Sequence, residues 1–251
     1  MAEKHYTEQT RHAERYLLPF FEKHLPDFQD ASVLELGCAE GGLLSVLRQK
    51  GIKTAGLELS PARVQLALER NPGLDIRTGD ITDPTLPDRF RERYDLIILR
   101  DVIEHVENRE MLFANCKALL KEHGYLYVTF PPRFSPFAGH HQVGRSFLRL
   151  VPYLPFFPKF FIEWMGKRVN EYPHVIDNAY LNLRIGLTIS QFHRFCRKYR
   201  LEAVRKSCYW IRPIYTTRFG WKTIRTLNIP FLREWISMGY ECLLKRIDSS
   251  D

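Results

Sequence analysis

Eight consecutive residues carry the densest chemistry in the chain: Glu35-Leu36-Gly37-Cys38-Ala39-Glu40-Gly41-Gly42. They end a short apolar run. Glycines at a strand-to-helix turn let backbone approach a ligand closely and take up dihedrals that other residues avoid. A plain tight turn would use the same glycines, so spacing has to decide. Glu58 closes a second apolar stretch, Asp80 follows a third in Gly79-Asp80-Ile81, and Asp101 follows a fourth in Leu99-Arg100-Asp101-Val102. Any one of these carboxylates reads as a solvated loop residue or a helix cap. All four at the ends of successive strands describe one sheet edge rich in hydrogen-bond acceptors. An acidic group closing the second strand suits the two hydroxyls of a ribose.

Positioning these groups takes an alternation of strands and helices, and the sequence supplies it. Strands are predicted at 33–36, 53–58, 74–78, 94–99 and 125–130, with helices at 41–50 and 108–122. Another helix starts from Ser60 as N-cap with Pro61 at its first position. Gly124 is read as the stop of the 108–122 helix, and Pro131-Pro132 as the halt of the fifth strand. Upstream, Leu17, Leu18, Phe21 and Leu25 form one face of an amphipathic helix over 6–25, with Pro19 as a kink or an early stop. The rhythm breaks over 132–187 and resumes at Thr188, which has capping-box spacing to Gln191. Two further strands at 201–211 and 238–247 complete seven. This is a Rossmann-like, doubly wound α/β sheet of seven strands, mostly parallel, with an inserted lid. It divides into an N-terminal helical segment (1–29), a core (30–131), the insertion (132–187) and a C-terminal part of the sheet (188–251).

With these motifs the sequence resembles the class I S-adenosylmethionine (SAM) dependent methyltransferases, in particular the ubiquinone-biosynthesis-type (type 11) branch, over residues 30–131. The resemblance implies SAM as cofactor. By it, Gly37, Cys38 and Gly41 line the methionine part and Glu35 orients its amino group. Glu58 and Leu59 flank the ribose, Asp80 and Ile81 after Gly79 meet the adenine, and Arg100, Asp101 and Val102 wall the pocket beside the sulfonium. Ile103-Glu104-His105-Val106 completes a phrase common in that branch, which adds His105 to the cofactor site. Ala39 departs from the usual glycine-rich pattern at its middle glycine. The nicotinamide-dehydrogenase alternative expects GxGxxG, whereas Gly37 and Gly41 stand four apart, and it has no use for Gly79-Asp80.

The resemblance also places the loop after the fifth strand at the transfer site, so His140 and His141 are the candidate catalytic bases. His174 and His193 have no ligand spacing, and no metal site is expected. Pro131-Pro132 follows the fifth strand, unlike the Pro-Pro motif of enzymes acting on amide or base nitrogens, which follows the fourth. The expected activity is methyl transfer to a small-molecule acceptor, a hydroxyl oxygen on an apolar or anionic substrate. The alternative is a non-catalytic SAM-fold scaffold or membrane-docking module.

Composition sets the outer bounds. Residues 1–131 hold 17 Lys and Arg against 21 Asp and Glu, a net of −4, while 132–251 hold 20 against 8, a net of +12. A basic half suits an anionic ligand or a membrane surface, and no RNA-binding signature favours nucleic acid. Phe147 to Trp164 is aromatic and apolar, yet three prolines with Arg149, Lys159 and Glu163 rule against a membrane span. It reads as a lid on its own core or as a peripheral membrane contact. Five isolated cysteines indicate reduced thiols, and the N-terminus lacks a secretory core, which points to the cytoplasm.

Overall fold

The computed structural model describes residues 2–90 and 92–247. Five strands form its parallel part: β1 (Ser32–Leu36), β2 (Lys53–Glu58), β3 (Ile76–Thr78), β4 (Tyr94–Arg100) and β5 (Leu120–Phe130). β6 (Leu201–Ile211), β7 (Ile224–Arg225) and β8 (Gly239–Arg246) add an antiparallel edge, in the order β3-β2-β1-β4-β5-β8-β6-β7. The sheet therefore has eight strands, one more than expected. The extra strand, β7, is two residues paired with the C-terminal end of β6, too short to leave a pattern in the sequence. Chain order reverses between β1 and β4, the point outside whose carboxyl ends such sheets bind ligands.

The parallel strands are buried on both faces, and alternate residues enter different cores. Leu34, Leu36, Ile97, Leu99, Leu126 and Val128 pack on one side, with α6 (Arg109–Leu119) and α9 (Ile189–Lys198). Val33, Leu96, Ile98 and Tyr127 pack on the other, against α2 (Leu18–His24) and α3 (Gly42–Gln49). The N-terminal helical run covers Ala2 to His24: α1 (Ala2–His12) passes through a π-helical turn (Ala13–Leu17) into α2. The wider π turn just before Pro19 accommodates it, so the proline does not end the run. α4 (Pro61–Arg70) and the short α5 (Leu86–Arg89) complete the connections of the parallel part.

One boundary moves. α6 stops at Leu119 instead of continuing to 122, because Leu120 pairs with Tyr94 and opens β5. Gly124 is no helix terminator. A Cβ there would lie 3.0 Å from the Lys121 carbonyl and 3.1 Å from that of Tyr94, so the glycine permits a close approach of backbone. The capping box at Thr188 forms as its spacing predicts, with both reciprocal bonds present. Residues 132–187 carry three short 3-10 turns, α7 (Lys159–Arg168) and α8 (Pro173–Ile185) around a small core of Leu148, Leu154, Ile162 and Ile176. α10 (Pro213–Phe219) and α11 (Leu232–Ile236) flank β7. No helix among the described residues is long and apolar enough to cross a membrane.

Candidate active site

Gly37 ends β1 with φ +80, and its amide and that of Cys38 both donate to the Leu57 carbonyl, at 2.7 and 3.1 Å. A Cβ at Gly37 would stand 2.4 Å from a Val102 methyl, so the residue after β1 must be glycine for β1 and the β4 loop to approach. Glu58, 7% exposed, braces the same turn. Its carboxylate accepts from the Ala39 amide at 2.9 Å and from the Ser60 amide at 3.0 Å. Ser60 and Pro61 do open α4, but the Ser60 side chain makes no capping bond.

Above this edge lies a cavity of about 660 Å³. Gly37, Glu58, Leu59, Gly79, Asp80 and Ile81 line one part of it, and Arg100, Asp101, Val102 and His105 another. Ten of the thirteen residues expected at the cofactor are thus brought to one cavity. The other three lie beneath it. Glu35 is fully buried and accepts from Arg100 Nε at 2.9 Å, while its second oxygen has no partner. Burial pushes the Glu35 carboxyl up against the pull of Arg100. Cys38 packs with Leu44, Val64 and Ile76 under the turn, and burial raises its thiol. Gly41 (φ +73) precedes α3, where a Cβ would meet Ile76 at 2.9 Å.

The remaining walls come from residues the sequence did not single out. His5, Glu8 and Gln9 enter from α1, Arg63 from α4, and Ile214 and Arg218 from α10. Gln9 accepts from the Gly42 amide at 3.0 Å, fixing α1 to the start of α3, and Arg218 bonds Glu8 at 2.9 Å, joining α10 to α1. No local signal marks Glu8 and Arg218, which are separated by 210 residues. Beyond Arg100 and Asp101 a smaller void of about 50 Å³ reaches Tyr16, Tyr127 and Tyr209. Their hydroxyls converge on the buried carboxylate of Glu241 at 2.7, 2.9 and 3.0 Å. Burial and that carboxylate push Tyr16, Tyr127 and Tyr209 upward, so none is a phenolate at neutral pH. His12 borders the same void with Nδ1 unpartnered, driven to about 3 by burial and by Arg100 and Arg212.

Asp101, in a left-handed conformation (φ +54), pairs with Arg212. Burial works to raise its carboxyl, but Arg212 outweighs that and holds it below the usual range. Glu104 is 4% exposed and neither oxygen has a hydrogen-bond partner. Burial and the nearby Asp101 push it well above the ordinary carboxylate value. His140 lies behind His105, ring centroids 5.0 Å apart, and does not touch the large cavity. Burial, with His105, lowers it to about 4. Glu104, His105 and His140 bring one ligand atom each within 4.8 Å of one another, a nitrogen and oxygen donor set that suits divalent metals. The spacing along the chain did not show this grouping. His141 is 1% exposed and its Nε2 bonds the Val151 carbonyl at 2.8 Å, inside the insertion. The large cavity is covered by α1 and α10, and residues 132–187 approach it through His140 and Asn182 behind His105.

The chain is similar to known proteins. A family described as a methyltransferase domain matches residues 6–172. A probable S-adenosylmethionine-dependent methyltransferase of Mycolicibacterium smegmatis is 32% identical over 106 residues, 41% of this chain and 40% of that protein. A ubiquinone biosynthesis O-methyltransferase of Chelativorans sp. is 27% identical over 130 residues, 50% of each. The chain thus spans 40% and 50% of these two relatives' own length. Among solved structures, the plantazolicin methyltransferase BamL aligns with TM-score 0.61 at 11% identity, over 98% of this chain and 89% of that one. Geranyl diphosphate C-methyltransferase from Streptomyces coelicolor A3(2) aligns at 0.56 and 12%, over 93% and 79%. These structures share the fold, and the match over residues 6–172 covers the glycine turn, the acidic strand ends and most of the cavity wall. The chain belongs to the methyltransferase domain family.

Proposed function

We propose that the protein transfers a methyl group from SAM to a hydroxyl oxygen of a small apolar or anionic molecule. The cavity of about 660 Å³ carries the proposal, because it joins Gly37, Glu58, Asp80 and Asp101 on one wall at the switch point of the sheet. The residues fit the cofactor. Glu58 would accept from the ribose hydroxyls, Asp80 from the adenine amine, and the partnerless oxygen of Glu35 leaves an acceptor beneath the turn for an ammonium group. When bound, SAM supplies a carbon activated by its sulfonium, so the protein's task is positioning and proton removal. For the proton we propose the pair of His105, on the cavity wall, and His140 behind it. Both are depressed by burial, so each is a neutral acceptor at physiological pH. His141, bonded to Val151, sets the loop that carries His140. A peripheral membrane contact on residues 132–251 belongs to the same reading, motivated by their exposed aromatics and positive charge.

Calorimetry with SAM, S-adenosylhomocysteine and NAD, followed by a methyl-transfer screen over phenols, carboxylic acids and amines, tests the proposal. SAM binding and methylation of hydroxyl compounds are expected. NAD binding without SAM binding would overturn the cofactor, and exclusive methylation of amines would overturn the acceptor atom.

A further inference from the structure

Nineteen of the twenty large hydrophobic side chains exposed among the described residues lie within 132–251, the half that carries a net charge of +12. Five of them fall in two groups. α7 turns Ile162 inward and leaves Phe160 (74% exposed), Phe161 (41%) and Trp164 (51%) outside, at spacings that share a helix face. Just upstream, the Phe156 ring lies 5.3 Å from Trp235 in α11, and Phe231, 77% exposed, reaches the same indole at 6.4 Å. Phe156 and Phe231, 75 residues apart in sequence, thereby meet around Trp235. Soluble domains rarely leave exposed rings grouped in this way uncovered. The insertion does not need these rings for its own interior, which Leu148, Leu154, Ile162 and Ile176 fill.

Charge identifies what the surface fits. Between residues 143 and 168 stand five cations, Arg145, Arg149, Lys159, Lys167 and Arg168, against Glu163, and Lys159 is paired with Glu163 and with Asp177 of α8 at 2.7 Å. Arg168 lies over the Trp164 ring at 4.5 Å, so cation and indole share the surface. The core of a protein–protein interface is depleted of charge, whereas basic side chains interleaved with Trp and Phe suit the level of lipid headgroups. We propose that this aromatic and basic surface docks the protein on an anionic lipid bilayer, rings at the headgroup level and cations on the phosphates. The proposal deepens the peripheral contact advanced above and depends on neither the acceptor nor turnover.

Co-sedimentation of the full chain with vesicles of phosphatidylcholine alone, and of phosphatidylcholine mixed with phosphatidylglycerol, is the test. Binding is expected to the phosphatidylglycerol vesicles and to weaken as salt rises. Phe160→Ser with Trp164→Ser should lower it about tenfold or more, since two large apolar groups lose their burial. Lys167→Gln with Arg168→Gln should weaken it on the anionic vesicles, and SAM affinity should hold in both double variants. Equal binding to both vesicle types, or unchanged binding by the aromatic double variant, overturns the proposal. So does the absence of vesicle binding together with a self-associated species that Phe160→Ser/Trp164→Ser dissolves, which would make the surface a contact between copies. A failed acceptor screen leaves vesicle binding standing, and a failed vesicle assay leaves SAM binding standing.

Discussion

Residues 1–131 and 132–251 share one sheet but solve different problems. The first half is slightly acidic, and of the exposed large hydrophobics among the described residues it holds only Leu59, which lines the cavity. Its polar groups point at one another or at the cavity: Glu35 at Arg100, Glu58 at two amides of the glycine turn. The second half is basic and leaves rings on its outside. It nevertheless enters the site, since Arg212 pairs with Asp101 and Arg218 with Glu8. The difference separates two jobs. One half builds an enclosed polar edge from its own strands, and the other contributes cations inward and aromatic surface outward.

The sharpest way to break that division is to damage the edge and watch the outer surface. Gly37→Ala would put a methyl 2.4 Å from Val102 in a left-handed backbone, at a cost of about 1–3 kcal/mol. Turnover should fall about 10²-fold as the turn shifts, while vesicle binding stays at the wild-type level. Denaturant titration measures the first effect, a methyl-transfer assay the second and co-sedimentation the third, and a parallel loss of vesicle binding would show that the halves are not separable.

His140→Ala should slow transfer by about 10²-fold with SAM affinity unchanged, if the ring takes the proton through His105. Since burial lowers His140 to about 4, the acid limb of kcat should fall near that value instead of near the 6.5 of a free imidazole. Wild-type turnover by the variant across neutral pH would remove the residue from the proton path.

A smaller loss is expected from Glu58→Ala, about 1.5–3 kcal/mol of SAM affinity. Part of it belongs to the turn, because the carboxylate also holds the Ala39 and Ser60 amides. Glu58→Gln, with one acceptor oxygen left, should recover some of the binding in calorimetry.

Acid should weaken the fold where the halves meet. His12 is held neutral down to about 3 in the folded chain against an ordinary 6.5, so the unfolded chain binds the proton first. The stability from the neutral ring is therefore complete above about pH 6.5 and is lost as pH falls from there towards 3. His12→Gln should flatten the difference between urea midpoints at about pH 7 and about pH 5. An unchanged slope would place the titration elsewhere.

The smallest effect is that of Arg218→Ala. The ion pair with Glu8 is partly exposed on the arginine side, so global stability should change by less than about 1 kcal/mol. A change in acceptor KM with SAM affinity constant would show that the α1–α10 contact serves the acceptor side of the cavity.

Much of the acidic edge of the sheet is legible in the sequence alone. Glycines after an apolar run and acids closing four strands are short-range patterns, and short-range patterns survive as sequence. The same holds for the Thr188 capping box, where both partners lie within three residues. Gly124 carries a helix-stop signature locally, while a tertiary pairing, Leu120 with Tyr94, ends α6 earlier. β7 leaves no mark in the sequence, because two residues hold no period.

By itself the sequence determined the βα alternation, the glycine turn and the acidic strand ends, since each rests on backbone preference and hydrophobic period over a few residues. Only the tertiary structure decided that α1 and α10 cover the cavity, that three tyrosines share Glu241, and that His140 backs His105 while His141 faces the insertion. Those contacts join elements up to 225 residues apart, and their geometry comes from how helices settle on the sheet. No local preference of the chain encodes that.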